Sequence, residues 1–131
     1  MSERHRANYA TVYLGALLGP DGHRLELDWA EDVGDATADH QFSVPTADAT
    51  DALVGVQAFD VGDYGHEIRV NGEALSGFDI PPNDGWQHWV DTVTNVDLRE
   101  GDNTVAVHRD PDSVDAFAVG TVTIHWKEPI E

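Results

Sequence analysis

Glu67-Ile68-Arg69-Val70-Asn71-Gly72-Glu73-Ala74 is the stretch that decides the fold. Apolar and polar residues alternate up to Val70, and Asn71-Gly72 is the pair that accepts positive φ at both central positions of a tight turn. The pattern predicts a two-residue hairpin, with one strand over 67–70 and the return over 73–80.

Strand chemistry continues on both sides of this hairpin. Downstream, Pro81-Pro82-Asn83-Asp84-Gly85 reads as an irregular connection, because neither proline can donate to a ladder. Strands are expected over 86–92, 93–98 and 104–108, with a break near Thr92 and a turn at Glu100-Gly101-Asp102-Asn103. After Asp110-Pro111-Asp112 a long strand covers 116–126. In it Val122, Ile124 and Trp126 point one way, and Thr121, Thr123, His125 and Lys127 the other.

Upstream, 53–61 is apolar on both faces and suits a strand covered on each side. Further strands are expected over 41–44, 24–29 and 9–18, with a turn at Gly19-Pro20-Asp21-Gly22. The small, acidic run 30–39 reads as a loop. No segment longer than a turn or two carries helical periodicity. About nine short strands with turn chemistry between them predict an all-β, antiparallel β-sandwich. The expected organisation is a flexible N-terminal segment over 1–8 and one domain over 9–128.

Charge narrows the partners. The chain holds 25 acidic side chains, 17 of them Asp, against six Arg and the single Lys127, for a formal net charge of −18. Self-repulsion at this density opposes compaction in dilute buffer and is screened in molar salt, where the Debye length is about 3 Å. The carboxylates are spread through almost every loop, which favours solvation over imitation of DNA or capture of one basic partner. Basic residues do not cluster, which excludes duplex nucleic acid as the expected ligand. With no cysteine there are no disulfides, thiolate metal sites or Cys nucleophiles. The apolar run 10–18 is short and broken by Thr11, Tyr13 and Gly15, so no membrane span or signal peptide is expected, and the protein reads as soluble and cytoplasmic.

From Phe42 to Trp126 the order of motifs resembles a galactose-binding-domain-like jelly roll, the fold of many carbohydrate-binding modules. The matching pieces are the apolar strand that ends in Asp60, the Ile68-Arg69-Val70-Asn71-Gly72 hairpin and the strand holding Trp86 and Trp89. Leu98-Arg99-Glu100-Gly101-Asp102-Asn103-Thr104-Val105 follows, then the closing apolar strand. The whole chain is similar to a small family of haloarchaeal proteins, and the acid excess looks like that of proteins from salt-loving archaea. The resemblance implies a binding module without catalysis, holding its ligand in loops at one end or edge, and it transfers no ligand residue.

Asp84-Gly85-Trp86-Gln87-His88-Trp89-Val90-Asp91 is the densest mix of aromatic and polar groups. On a strand, Trp86 and His88 share one face while Gln87, Trp89 and Asp91 share the other. A sugar stacks its C–H face on an aromatic ring while groups such as Asp84 or His88 take its hydroxyls. Large aromatics mostly fill cores, so the preferred expectation puts one tryptophan in the core on each side of the strand. Tyr64 and His66 join the site if the fold gathers their loop beside it; otherwise Tyr64 is a loop anchor.

His88, His108 and His125 would bind zinc if they met, but their spacing has no metal-ligand pattern, and solvated histidines are the expectation. A structural calcium ion, common in the resembled class, would find oxygen ligands in the 110–115 loop or at Asp60 and Asp63, a weak signal among 17 aspartates. None of Ser2, Ser43, Ser76 and Ser113 lies in a nucleophile elbow. The leading expectation is therefore a non-catalytic module for a carbohydrate-like or other small polar ligand. The rivals are an assembly protein that forms a homo-oligomer through a face or edge, and a metal-dependent enzyme.

Overall fold

The hairpin forms as the sequence predicts. Asn71 and Gly72 both take positive φ, 52° and 82°, and the flanking residues pair as Val70 with Glu73 and Arg69 with Ala74. The computed structural model describes residues 4–75 and 80–130. Residues 76–79 of the expected return strand lie outside them.

Nine strands are present among the described residues: β1 (His5–Leu18), β2 (Glu31–Gly34), β3 (His40–Val44), β4 (Thr50–Val61), β5 (Glu67–Val70), β6 (Glu73–Ala74), β7 (Asn83–Thr92), β8 (Gly101–His108) and β9 (Phe117–Pro129). They form two sheets, one in the order β2-β1-β9-β4-β7 and the other β3-β8-β5-β6. Every pair is antiparallel except β1 with β2. The chain is an all-β sandwich of jelly-roll type.

The core lies between the sheets. Val54, Val56 and Ala58 of β4, Val122, Ile124 and Trp126 of β9, and Val105 and Val107 of β8 supply inward side chains that are almost completely covered. The β9 set is the inward one read from the sequence, and each buried valine or isoleucine here contributes roughly 1.5–3 kcal/mol of transfer free energy.

The two hairpin-flanking motifs interlock. Asn71 Nδ2 donates to Asn103 Oδ1 at 3.0 Å, and Thr104 N donates to Asn71 Oδ1 at 2.9 Å. Asn103, buried, also accepts from Arg99 N at 2.8 Å and donates to Arg99 O and Gly101 O. Two side-chain amides thus replace ladder bonds where β5 and β8 both turn.

Several expectations need correction. β1 begins at His5, ahead of the strand start expected at Tyr9, and pairs with β9 out to Pro129. Glu128 holds this end of the molecule, for its buried carboxylate accepts from Arg6 Nη2 at 2.8 Å, Asn8 Nδ2 at 2.9 Å and Trp126 Nε1 at 2.9 Å.

Residues 24–29 form no strand. Leu25 and Leu27 alternate with exposed residues as read and are half-buried, but this segment is the crossover between the parallel strands β1 and β2, and it runs without a ladder. The acidic run contains β2, which is possible because a short edge strand keeps Glu31 and Asp32 in solvent. Residues 93–98 are irregular too, since they carry the chain from one sheet to the other, anchored by Val93 and Leu98. β7 starts at Asn83, within the expected irregular connection, and a register irregularity between Phe59 and Val61 of β4 accommodates its first residues.

Candidate aromatic face

The outward side of the five-stranded sheet is the unusual surface of this molecule. Strand alternation sends Tyr9, Thr11 and Tyr13 of β1 outward, and Thr121, Thr123, His125 and Lys127 of β9. On β4 the outward residues are Leu53, Gly55, Gln57 and Phe59; on β7 they are Trp86, His88, Val90 and Thr92. Not one of these positions holds a carboxylate, in a chain with 25 of them. The second apolar side of β4, which suggested a strand covered on both faces, belongs to this surface.

Three rings on it lie over glycines. The Tyr13 ring sits above Gly15, the His88 ring above Gly55 and the Trp86 six-membered ring above Gly120. A Cβ on Gly55 would come within 2.8 Å of His88, and one on Gly15 within 2.5 Å of Tyr13, so the missing side chains let the rings settle against the backbone. Trp86 remains 53% exposed, Tyr13 60% and Tyr9 62%. Trp29 stacks on Trp86 at 5.2 Å and 28°, and Phe59 is tilted against Trp86 at 5.2 Å.

Trp29 arrives from the crossover loop, which spans the top of the sheet. Tyr13 Oη donates to Trp29 O at 3.1 Å. The loop is pinned at its base by Gly19 N donating to Gly34 O and by the contact of His23 Nε2 with Asp32 Oδ2 at 2.7 Å. That hydrogen bond holds the Asp32 carboxyl below its ordinary range.

Polar groups are interleaved with the rings. Gln57 Oε1 accepts from Thr121 N at 3.4 Å, and Gln57, Trp86, Gln87 and His88 surround a shallow depression of about 250 Å³. A second depression, about 390 Å³, lies at the other end of the face between Leu53, Thr92, Val93 and Lys127. Lys127 Nζ stands 3.6 Å from Asp51 Oδ2 on the rim. Such a surface can stack planar or C–H-rich rings and offer amide, imidazole and hydroxyl groups to their edges.

The structure separates the residues singled out from the sequence. Trp86 and His88 lie on the face. Trp89 points the other way, half-buried against the core, so only one of the two tryptophans is a core residue. Asp84 is exposed at the start of β7.

Tyr64 projects from the loop after β4, 65% exposed. His66 is completely buried: it stacks on Phe117 at 4.2 Å, accepts from Asp110 N at Nδ1 and reaches Asp115 Oδ2 at 2.8 Å through Nε2. The backbone donor at Nδ1 assigns the ring proton to Nε2. This histidine fastens two loops and is closed to ligands.

The metal candidates do not assemble either. His108 ends β8 in the other sheet, away from His88 and His125. Asp115 Oδ2 accepts from Gly62 N and Asp63 N, Asp110 Oδ1 from Asp112 N, and Asp60 Oδ1 from Gly85 N. Among the described residues no group of three or more His, Asp or Glu is placed to hold an ion.

Sequence reasoning missed Tyr9, Tyr13, Trp29, Phe59 and the glycine seats. A usable signal was present: the outward registers of the strands at 9–13 and 121–127 lack acids where nearly every loop has one.

A search of curated proteins finds no match. Among solved structures the fold is similar to the CBM36-1 domain of a multidomain xylanase from the hindgut metagenome of Trinervitermes trinervoides. The TM-score is 0.58 at 11% identity, over 89% of this chain and 96% of that one. It is similar also to the Podospora anserina GH26-CBM35 β-(1,4)-mannanase, with a TM-score of 0.55 at 14% identity, over 94% of this chain and 28% of that chain. At these identities the likeness is one of fold, that of carbohydrate-binding modules. Residues 6–128 match the family described as "Family of unknown function (DUF7383)", and the chain belongs to that family.

Proposed function

We propose that the protein is a non-catalytic carbohydrate-binding module whose ligand lies along the outward face of the five-stranded sheet. The observation that carries this reading is the set of three rings seated over glycines on a surface free of carboxylates. Trp86 and Tyr13, held against the sheet, remain 53% and 60% exposed, which suits the C–H faces of sugar rings, and Gln57 and His88 stand beside Trp86 for the hydroxyls. Likeness of fold to modules named for a xylanase and a mannanase supports the same class of ligand. We read the acid excess as adaptation to concentrated salt, so the binding is expected to work there.

Affinity electrophoresis against immobilised polysaccharides and an oligosaccharide array, both in molar KCl, test the proposal. Wild type is expected to bind at least one glycan, and Trp86→Ala to lose at least tenfold in affinity, equivalent to about 1.4 kcal/mol, while keeping its melting temperature. Binding unchanged in Trp86→Ala would remove the face from consideration.

The exposure of Tyr9, Tyr13, Trp86 and Val90 on one side favours one other reading, assembly of two copies through this face. Light scattering separates the two. A stable dimer that Trp86→Ala dissociates would replace the carbohydrate proposal.

A further inference from the structure

We infer that the glycan recognised by this face is an acidic one, with a negatively charged group placed at the end where His125 and Lys127 stand. The inference rests on the carbohydrate reading above and adds the charge of the ligand. Cations are few in this chain, seven Lys and Arg against 25 acids. The chain's only lysine lies on this face, and the other ionisable side chains there, between Tyr9 and Thr92 across the sheet, are His88, His125 and the two tyrosines, with Asp51 on the rim. An anionic group lying there meets one carboxylate, that of Asp51 on the rim beside Lys127, and none from the outward positions of β1, β7 or β9, whereas most other surfaces of the molecule would repel it.

The geometry gives the charged group a place. The Lys127 side chain is 58% exposed, and its pairing with Asp51 is long, at 3.6 Å between two solvent-facing groups. Exposed pairs of this kind contribute little, so a ligand carboxylate or sulfate can take Asp51's place. Beside Lys127 the depression lined by Leu53, Thr92 and Val93, with Asp51 at its edge, accepts the sugar ring that bears the charge.

Trp86, at the other end of β7, is six residues from Thr92. At roughly 3.3 Å per residue this is about 20 Å, a span for a chain of several sugars and not for a single one. The neutral part of the ligand then stacks on the Trp86 end and the charged part reaches the Lys127 end.

The test compares a linear oligouronate with the same oligosaccharide after its carboxyls are reduced to alcohols, and with a sulfated form of that neutral chain. All are titrated into the full chain in molar KCl, so that the long-range field of the net charge is screened. At least one charged form is expected to bind about fivefold more tightly than the neutral chain, the scale of one exposed ion pair. The preferred form identifies the anionic group as carboxylate or sulfate.

Lys127→Gln is expected to erase the preference, charged and neutral chains then binding alike, and Asp51→Asn to enlarge it; both melts should match wild type. Equal or tighter binding of the neutral chain overturns the inference and leaves the carbohydrate reading standing. So does a preference that survives Lys127→Gln. Binding of none of the three forms overturns both.

Discussion

Glu128 and Asn103 are each a polar side chain placed where the core would be expected to reject one, and each is retained because its bonds are complete. Hydrogen bonds from Asn8, Trp126 and Arg6 hold the Glu128 carboxyl down at about 2, from an ordinary 4.5. A folded-state value below the unfolded one means that this group stabilises the fold fully above about pH 4.5. The contribution is lost as pH falls through the folded value near 2. Acid titration followed by circular dichroism is expected to show a stability loss in this window that Glu128→Gln lacks, the variant being less stable at neutral pH.

Asn103 answers four backbone or amide partners and is 1% exposed. Asn103→Ala leaves them unpaired in the interior, and we expect a loss of about 3 kcal/mol in urea unfolding with little change in m. Both asparagines of this pair stood in the sequence as turn residues. That they would bond to each other was not legible, because side-chain pairing across 32 residues of chain depends on the register of β5 against β8.

Among the elements, β7 shows what a strand pattern gives and what it withholds. Alternation correctly placed Trp86 with His88 and against Trp89, but not which side was the core. Composition alone could not decide it, since both sides of the strand carry a tryptophan; the partner strand decides it, through Val54 and Val56 of β4 facing inward. The strands expected at 24–29 and 93–98 failed for a related reason. Val93 and Leu98 are buried and Leu25 and Leu27 half-buried, yet each segment connects elements that are not antiparallel neighbours and has no strand to ladder with.

The β4 glycine offers a test at this scale. Gly55 lies in an ordinary strand conformation, so Gly55→Val should keep the fold within about 1 kcal/mol of wild type, valine being the better strand former. The new side chain must displace the His88 ring, 2.8 Å from where its Cβ would stand. Glycan affinity is therefore expected to fall while thermal stability holds. Equal affinity in this variant would mean that His88 and its seat take no part.

For the whole molecule, the distribution of charge informs more than its amount. A net −18 is carried on loops, edges and strand ends, and it is absent from the centre of one sheet face. The fold class, the sandwich and most strand positions were legible from alternation and turn chemistry. The face was not, because it is assembled from four strands distant in sequence, each contributing three or four residues. Repulsion among the acids remains a property of the whole, and the melting temperature is expected to rise steadily from 0.1 M to molar KCl as the Debye length contracts from about 10 to about 3 Å. A flat melting curve across that range would show that the acids are already balanced locally.

The stack of Trp29 on Trp86 has an optical consequence. Two of the four indoles in the chain stand 5.2 Å apart in a fixed tilt, while Trp126 is sealed in the core and Trp89 is half covered. Transition dipoles this close exchange excitation, so the face carries its own chromophore pair, spectrally distinct from the interior. Because one ring rides on an unladdered loop and the other on a strand, any molecule that settles over them alters their mutual angle, and the protein reports its own occupancy without a label.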